Sequence, residues 1–227
     1  MKKLSIFFTI TLLSFNFSLA RNAGETEITT EDGIEVFQEE KYYLLKKNVE
    51  ISSDELELKG DNVKIFFDKD LYDIKELIAD KNVKFISKEY NISGKGQNVK
   101  FDLKNQKIFI NGQKSELNLE NTKMLSDGKI NVDNLIGEFF IEGPNSELFS
   151  EDIYIDGEKI NGTFEIINDK REVANLFVED ENKLNIKTDN ITMFAKKAVY
   201  NKNKSIIELF EEVQISRGNE LITGDYG

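Results

Sequence analysis

The sequence predicts an all-β protein, and three observations predict it: apolar residues alternate strictly with polar ones, the alternating block is repeated, and turn residues punctuate the runs. Every second residue is apolar in Val49/Ile51, Leu56/Leu58, Val63/Ile65/Phe67, Val83/Phe85, Tyr90/Ile92 and Val99/Phe101/Leu103. Period two is the signature of strands with one buried face. Aligning Gly60, Asp61, Asn62 and Val63 on Gly96, Gln97, Asn98 and Val99 gives an offset of 36 residues, so one structural unit occurs twice. A chain with 32% charged and only 39% apolar residues would be disordered if unpatterned; here the alternation gives sheets a face to bury.

In chain order, residues 1–20 read as a secretory signal: Lys2 and Lys3, an apolar run from Leu4 to Phe17, and Ser18, Leu19 and Ala20 as a small-x-small cleavage site. The run is shorter than the ~20 residues of a spanning helix and is broken by Ser14 and Asn16. An exported chain cleaved after Ala20 is therefore expected, followed by a flexible leader over 21–32 and one domain over 33–227. Its first strand pair is Ile34–Val36 with Tyr43–Leu45. Repeat units follow near 49–82 and 83–114, and return near 146–180 and 184–227. Leu71, Ile74, Leu77 and Ile78 also fit a helical spacing, but the equivalent place in the second copy, 104–110, is turn and strand, so Ile74–Ala79 is assigned as strand. Residues 115–143 repeat less clearly, with turns at Ser126-Asp127-Gly128 and Gly143-Pro144-Asn145.

Composition excludes several functions. With Lys2 and Lys3 gone, 28 basic residues stand against 42 acidic ones, a net charge of −14, which speaks against nucleic acid as a partner. Cysteine is absent, so no disulfide staples this exported chain. With neither His nor Cys, the usual nucleophilic triads and zinc sites are excluded, and no cofactor or metal site is expected. Gly94-Lys95-Gly96 lacks the rest of a phosphate loop. Asp68-Lys69-Asp70 begins like a calcium loop, but Tyr72 and Ala79 stand where oxygen ligands are required. The chain does not read as an enzyme.

Asp32-Gly33-Ile34-Glu35, the Lys41-x-Tyr43 strand, Lys47-Asn48-Val49, the Gly60-Asp61 corner, Asp80-Lys81-Asn82-Val83, and Arg217 through Leu221-Ile222-Thr223-Gly224-Asp225 together resemble the OstA-like family of lipopolysaccharide transport proteins. The resemblance runs from Asp32 to Gly227. Lys47-Asn48 and Glu211-Glu212 depart from it, standing where the family usually has a glycine. The resemblance implies a single β-jellyroll of stacked, folded-over antiparallel strands with an apolar groove and open ends. The alternation alone does not distinguish a filled sandwich from an open groove.

On the groove reading, the candidates for acyl-chain contact are Val49, Ile51, Leu56, Leu58, Val63, Ile65, Phe67, Val83, Phe85, Ile92, Val99, Phe101, Leu103, Ile108, Ile110, Phe164, Ile166, Leu176, Val178, Val213 and Ile215. Plain core packing is the competing reading for each. Lys64, Lys84 and Lys100 are candidates for head-group contact, or for a solvated outer face. The end strands, with Ile34 and Val36 at one end and Leu221 and Ile222 at the other, expose unpaired backbone that soluble proteins normally block. The resemblance implies as partners lipopolysaccharide, through its lipid A acyl chains, and inner-membrane LptC-like and outer-membrane LptD-like proteins through edge pairing, together with head-to-tail self-association. Two other readings remain open: a membrane-anchored LptC-like partner that keeps Leu4 to Phe17, and a surface β-solenoid or adhesin with a filled core.

Overall fold

Eighteen strands and no helix make up the described residues of the computed structural model, which are 26–69, 73–151, 153–167 and 170–227. The expected signal and the first part of the leader lie outside them. The chain opens with β1 (Glu27–Thr29) and β2 (Ile34–Phe37), then four long strands, β3 (Tyr42–Ser52), β4 (Leu56–Phe67), β5 (Ile74–Ser87) and β6 (Ile92–Asp102). Eight shorter strands follow: β7 (Lys107–Asn111), β8 (Ser115–Leu119), β9 (Thr122–Ser126), β10 (Lys129–Asp133), β11 (Glu138–Glu142), β12 (Glu147–Ser150), β13 (Ile153–Asp156) and β14 (Lys159–Ile167). The last four are β15 (Lys170–Lys187), β16 (Thr192–Asn201), β17 (Ile206–Arg217) and β18 (Glu220–Tyr226).

All neighbours pair antiparallel in one sheet, folded along its middle into two facing halves. Each long strand bends at the fold line and contributes to both halves, and the pairing register shifts there: between Lys46 and Val49 on β3, Asp80 and Val83 on β5, and Phe210 and Val213 on β17. At each bend two residues oppose one on the partner strand, the count that defines a β-bulge and lets a strand turn a corner. The paired residues Lys47/Asn48, Lys81/Asn82 and Glu211/Glu212 all have left-handed backbone, with φ between 49° and 64°. Two of the three corners are thus the positions where the family usually has glycine, and this chain holds side chains there in a conformation that L-residues disfavour. Asn82 offsets part of that by donating from Nδ2 to the Asp61 carboxylate across the bulge, at 3.3 Å.

In the middle the long strands are replaced by short ones that cross between the halves, with a glycine at every crossing. Gly112 lies between β7 and β8, Gly128 between β9 and β10, Gly143 between β11 and β12, and Gly157 between β13 and β14. The first half is then β2-β3-β4-β5-β6-β7-β10-β11-β14-β15-β16-β17-β18; the second replaces β2 by β1 and the middle by β8-β9-β12-β13. The crossings are stitched together. The Gly112 N–H donates to the Gly128 carbonyl at 2.8 Å, and Asp127 accepts from the Lys114 N–H at 2.7 Å and from Asn145 Nδ2 at 2.6 Å. Buried serines satisfy the remaining polar groups, with Ser115 Oγ donating to the Gly112 carbonyl and Ser146 Oγ to that of Gly143, both at 2.7 Å.

Ile74–Ala79 is strand as expected, within β5. The leader differs from expectation: Glu27–Thr29 is strand β1, paired with Glu50–Ser52. Ile28 opposite Ile51 gives that short run an apolar partner on the inner face, which its polar surroundings in sequence conceal.

Candidate functional site

The inward side chains of the two halves meet in one contiguous core. Of the groove candidates, Val49, Ile51, Leu58, Val63, Ile65, Phe67, Val83, Phe85, Ile92, Val99, Phe101, Ile108, Ile110, Leu176, Val178 and Val213 are buried in it. Leu56, Phe164 and Ile215 are partly buried against its margin. Leu103 and Ile166 stand at hairpin ends and are exposed, by 43% and 77%. Glycines let the larger rings fit. Phe85 lies opposite Gly94 across β5 and β6, and Phe139 opposite Gly162 across β11 and β14. A Cβ added at Gly94 would come within 2.7 Å of the Phe85 ring, and one at Gly162 within 2.1 Å of that of Phe139. Phe85 meets Phe101 edge-on, ring centroids 4.8 Å apart, a favoured aromatic geometry.

The margin opposite the fold line is the mouth, bounded by the hairpins of the two halves. It is bridged in places: the Arg171 N–H of the first half donates to Glu120 of the second at 2.8 Å, and Lys202 of the first half pairs with Glu151 of the second at 3.5 Å and also with Glu172 of its own half. Between these ties and the C-terminal end lies a cleft of about 630 Å³, with Ile153 and Ile191 from one half and Val173, Tyr200 and Ile207 from the other on its apolar walls, and Lys202 and Arg217 at its rim. These positions are absent from the sequence-based groove candidates. The signal was present in the phase of the alternation, since Ile153 and Ile207 lie two residues before buried Ile155 and Leu209.

The three candidate head-group lysines face outward on the strands, away from the mouth. Lys100 pairs with Glu76 at 2.6 Å, and Lys64 Nζ sits 5.0 Å from the centre of the Tyr42 ring. Lys84 lies in a shallow depression with Lys59, Lys95 and Glu116. The solvated-face reading holds for all three.

Both ends of the folded sheet are open. Ile34 and Val36 on β2 are 50% and 47% exposed; every residue of β18 is exposed, including Leu221 and Ile222. Ile34 lies opposite Leu45 in the first half and Ile222 opposite Ile215 in the second, so each ends the inward apolar row of its own half without a covering layer.

Several carboxylates on the outer faces are held in ionised form. Asp133 accepts from the Lys107 ammonium at 2.7 Å and from the N–H groups of Leu135 and Ile136, and these hold its pKa below the ordinary value. Lys95 does the same to Glu116, and Lys129 to Glu142. A depressed folded-state pKa contributes stability that is present above the unfolded-chain value and lost as pH falls through the folded one. Asp156, raised by burial and by Asp180, works in the opposite direction but alone. The thermal midpoint is therefore expected to be level from neutral pH down to about 5 and to fall below about pH 4. Asp133→Asn should lower the neutral midpoint and flatten the acid limb; a midpoint that rises on acidification would contradict the assignment. Among the described residues no group of acidic side chains is arranged to hold a metal ion.

The site is thus an all-β sheet folded over an apolar interior and unpaired at both ends. Residues 29–138 match the family described as LptA/(LptD N-terminal domain) LPS transport protein, and over that stretch the OstA-like resemblance is established. Among solved structures, the chain is similar to LptH, described as the LptA homologous periplasmic component of the conserved lipopolysaccharide transport device from Pseudomonas aeruginosa. The identity is 13% and the TM-score 0.41, over 48% of this chain and 76% of that one. No curated protein matches the sequence.

Proposed function

We propose that this chain is a periplasmic lipopolysaccharide carrier of the LptA kind, exported with its signal cleaved after Ala20. It shields acyl chains between the two halves of its folded sheet. Its open ends pair with neighbouring strands, of further copies or of LptC-like and LptD-like proteins, as part of a bridge from inner to outer membrane. The observation that carries this reading is the apolar interior between the halves, which runs from β1 and β2 at one end to β18 at the other and ends at unpaired edges.

The energetics favour an acyl ligand. Each buried CH₂ contributes ~0.8 kcal/mol, so one chain of a dozen carbons gives on the order of 10 kcal/mol. Repulsion between exposed charges of an acidic protein and a phosphorylated glycolipid is screened to ~1 kcal/mol or less per pair. Because the interior is occupied by side chains, a lipid enters by parting the halves at the mouth, and the cleft beside Tyr200 and Ile207 is the place where least must move.

The test is in-cell photocrosslinking with a photoreactive amino acid at Phe101 (inward), at Ile207 (mouth) and at Lys100 (outward). A lipopolysaccharide adduct is expected at Ile207 and Phe101 and not at Lys100. A folded, exported protein that gives no adduct at either inward position would leave the apolar row a structural core and favour the adhesin reading.

A further inference from the structure

We infer that the outer face of the first half-sheet carries a binding site for a neutral, extended oligosaccharide, in a cleft of about 680 Å³ above β7, β10, β11, β14 and β15. The cleft is separated from the interior by the sheet itself, so the inference does not rest on the carrier reading.

One row of outward side chains crosses these strands, and the pairing registers fix its order: Phe109, Asn131, Phe140, Asn161, Phe177. Rings and amides alternate strand by strand. With neighbouring strands ~4.8 Å apart, the rings recur roughly every 9–10 Å with an amide midway. None of the five is buried, and Phe177 is 40% exposed. Among the described residues the Asn131 and Asn161 side chains have no hydrogen-bond partner, so each presents a free donor and a free acceptor to the cleft.

The flanking rows are occupied. On one side Lys107 pairs with Asp133 at 2.7 Å, and Asn175 donates to Thr163 at 3.1 Å. On the other Lys129 pairs with Glu142 at 2.5 Å while its ammonium stands 5.1 Å from the centre of the Phe140 ring, and Lys159 lies 3.9 Å from the same carboxylate. The five residues of the row are thus themselves uncharged, the lysines beside them are each matched by a carboxylate, and Glu138, unpaired among the described residues, adds a negative charge at one edge, on a chain of formal net charge −12.

That arrangement selects its ligand by chemistry. An anion meets no free cation, because Lys107, Lys129 and Lys159 are each paired with a carboxylate. An acyl chain would cover the free amides without satisfying them, which is unfavourable. An extended peptide would draw its affinity from unpaired strand backbone, and the middle of a sheet face offers none. A neutral sugar chain satisfies both parts, since the apolar C–H face of a pyranose packs on a phenyl ring while its hydroxyls exchange hydrogen bonds with a primary amide. In an extended β-linked chain, successive rings advance by about one strand spacing, so they would meet phenyl and amide in turn.

The test is calorimetric titration of the secreted chain with chitohexaose and cellohexaose, which are extended, and with maltohexaose, which is helical. Saturable binding of an extended hexaose is expected, and weaker or no binding of maltohexaose. Phe140→Ala and, separately, Asn161→Asp should each weaken it at least tenfold. Phe149→Ala, on the outer face of the other half, should leave it unchanged. If Phe140→Ala does not fold, Asn161→Asp, a near-isosteric change at a half-buried outward position, decides the matter. Failure of both extended hexaoses to bind at millimolar concentration overturns the site, as does binding insensitive to Asn161→Asp. Displacement of the bound hexaose by dodecanoate would also overturn it, because the sugar would then occupy the interior.

Discussion

Gly128→Ala is expected to destabilise the protein by about 3 kcal/mol, enough to abolish cooperative unfolding in a marginal background. A Cβ at Gly128 would lie 2.2 Å from the Glu142 carbonyl oxygen and 3.0 Å from Gly143 Cα, both backbone atoms that cannot rotate away. Gly143 meets the same obstacle from the other side, with Gly128 Cα 2.8 Å from its own added Cβ and a φ of 124°. Two crossings between the halves touch back to back here, and only hydrogen fits between them. The relief would be separation of β10 from β11 near the crossings, which also strains the Gly112 N–H bond to the Gly128 carbonyl. Urea denaturation measures the effect. Gly224→Ala, whose added Cβ comes no closer than 3.5 Å to the Tyr226 carbonyl oxygen, is the comparison and should change stability far less. Equal effects at the two positions would mean that the crossings yield easily.

If β18 is a joining edge of the proposed bridge, Thr223→Pro is expected to weaken head-to-tail association a hundredfold or more without unfolding the chain. Gly218 and Asn219 form the two-residue turn between β17 and β18, with Gly218 at φ 57°. The pair flanking such a turn, Arg217 and Glu220, exchanges both hydrogen bonds, and pairs alternate from there. Ile222 is thereby bonded to Ile215, whereas Thr223, opposite Gln214, directs its N–H and C=O to the free edge. Proline at 223 removes an edge donor and leaves the bonds to β17 in place, the one setting in which a strand tolerates it. Light scattering over a concentration series measures association, and circular dichroism checks the fold. Assembly by the variant as strong as that of the unaltered chain would show that β18 is not the joining edge.

Much of this architecture was legible in the residues. Period-two alternation placed the inward faces of β3 to β7 and of β15 to β17, because a strand with one buried face must write that period into its sequence. The crossings were harder to read. Between β7 and β14 the strands are four or five residues long, so each supplies only two or three inward positions before the chain changes halves. Gly112, Gly128, Gly143 and Gly157 mark those changes, but a glycine in a hairpin turn and one at a crossing look alike in sequence. The bulges at Lys47/Asn48, Lys81/Asn82 and Glu211/Glu212 carry no glycine and so gave no local sign of a corner. Whether a given inward residue faces open space or a neighbour depends on which strands lie across from it, a long-range fact. For that reason Leu58 and Phe101 are buried while Tyr200 and Ile207 line a cleft.

The folded sheet is also a ruler. Each half contains thirteen strands in sequence, so at ~4.8 Å per strand one molecule measures roughly 58 Å from edge to edge. Two successive crossings with the two hairpins they join add two strands to each half without altering the layers on either side. Duplication or loss of one such unit would lengthen or shorten the molecule by a fixed increment and leave its terminal edges unchanged. Span and end chemistry can therefore vary independently over evolutionary time, and a change in the distance to be covered would require neither a new fold nor a new joint.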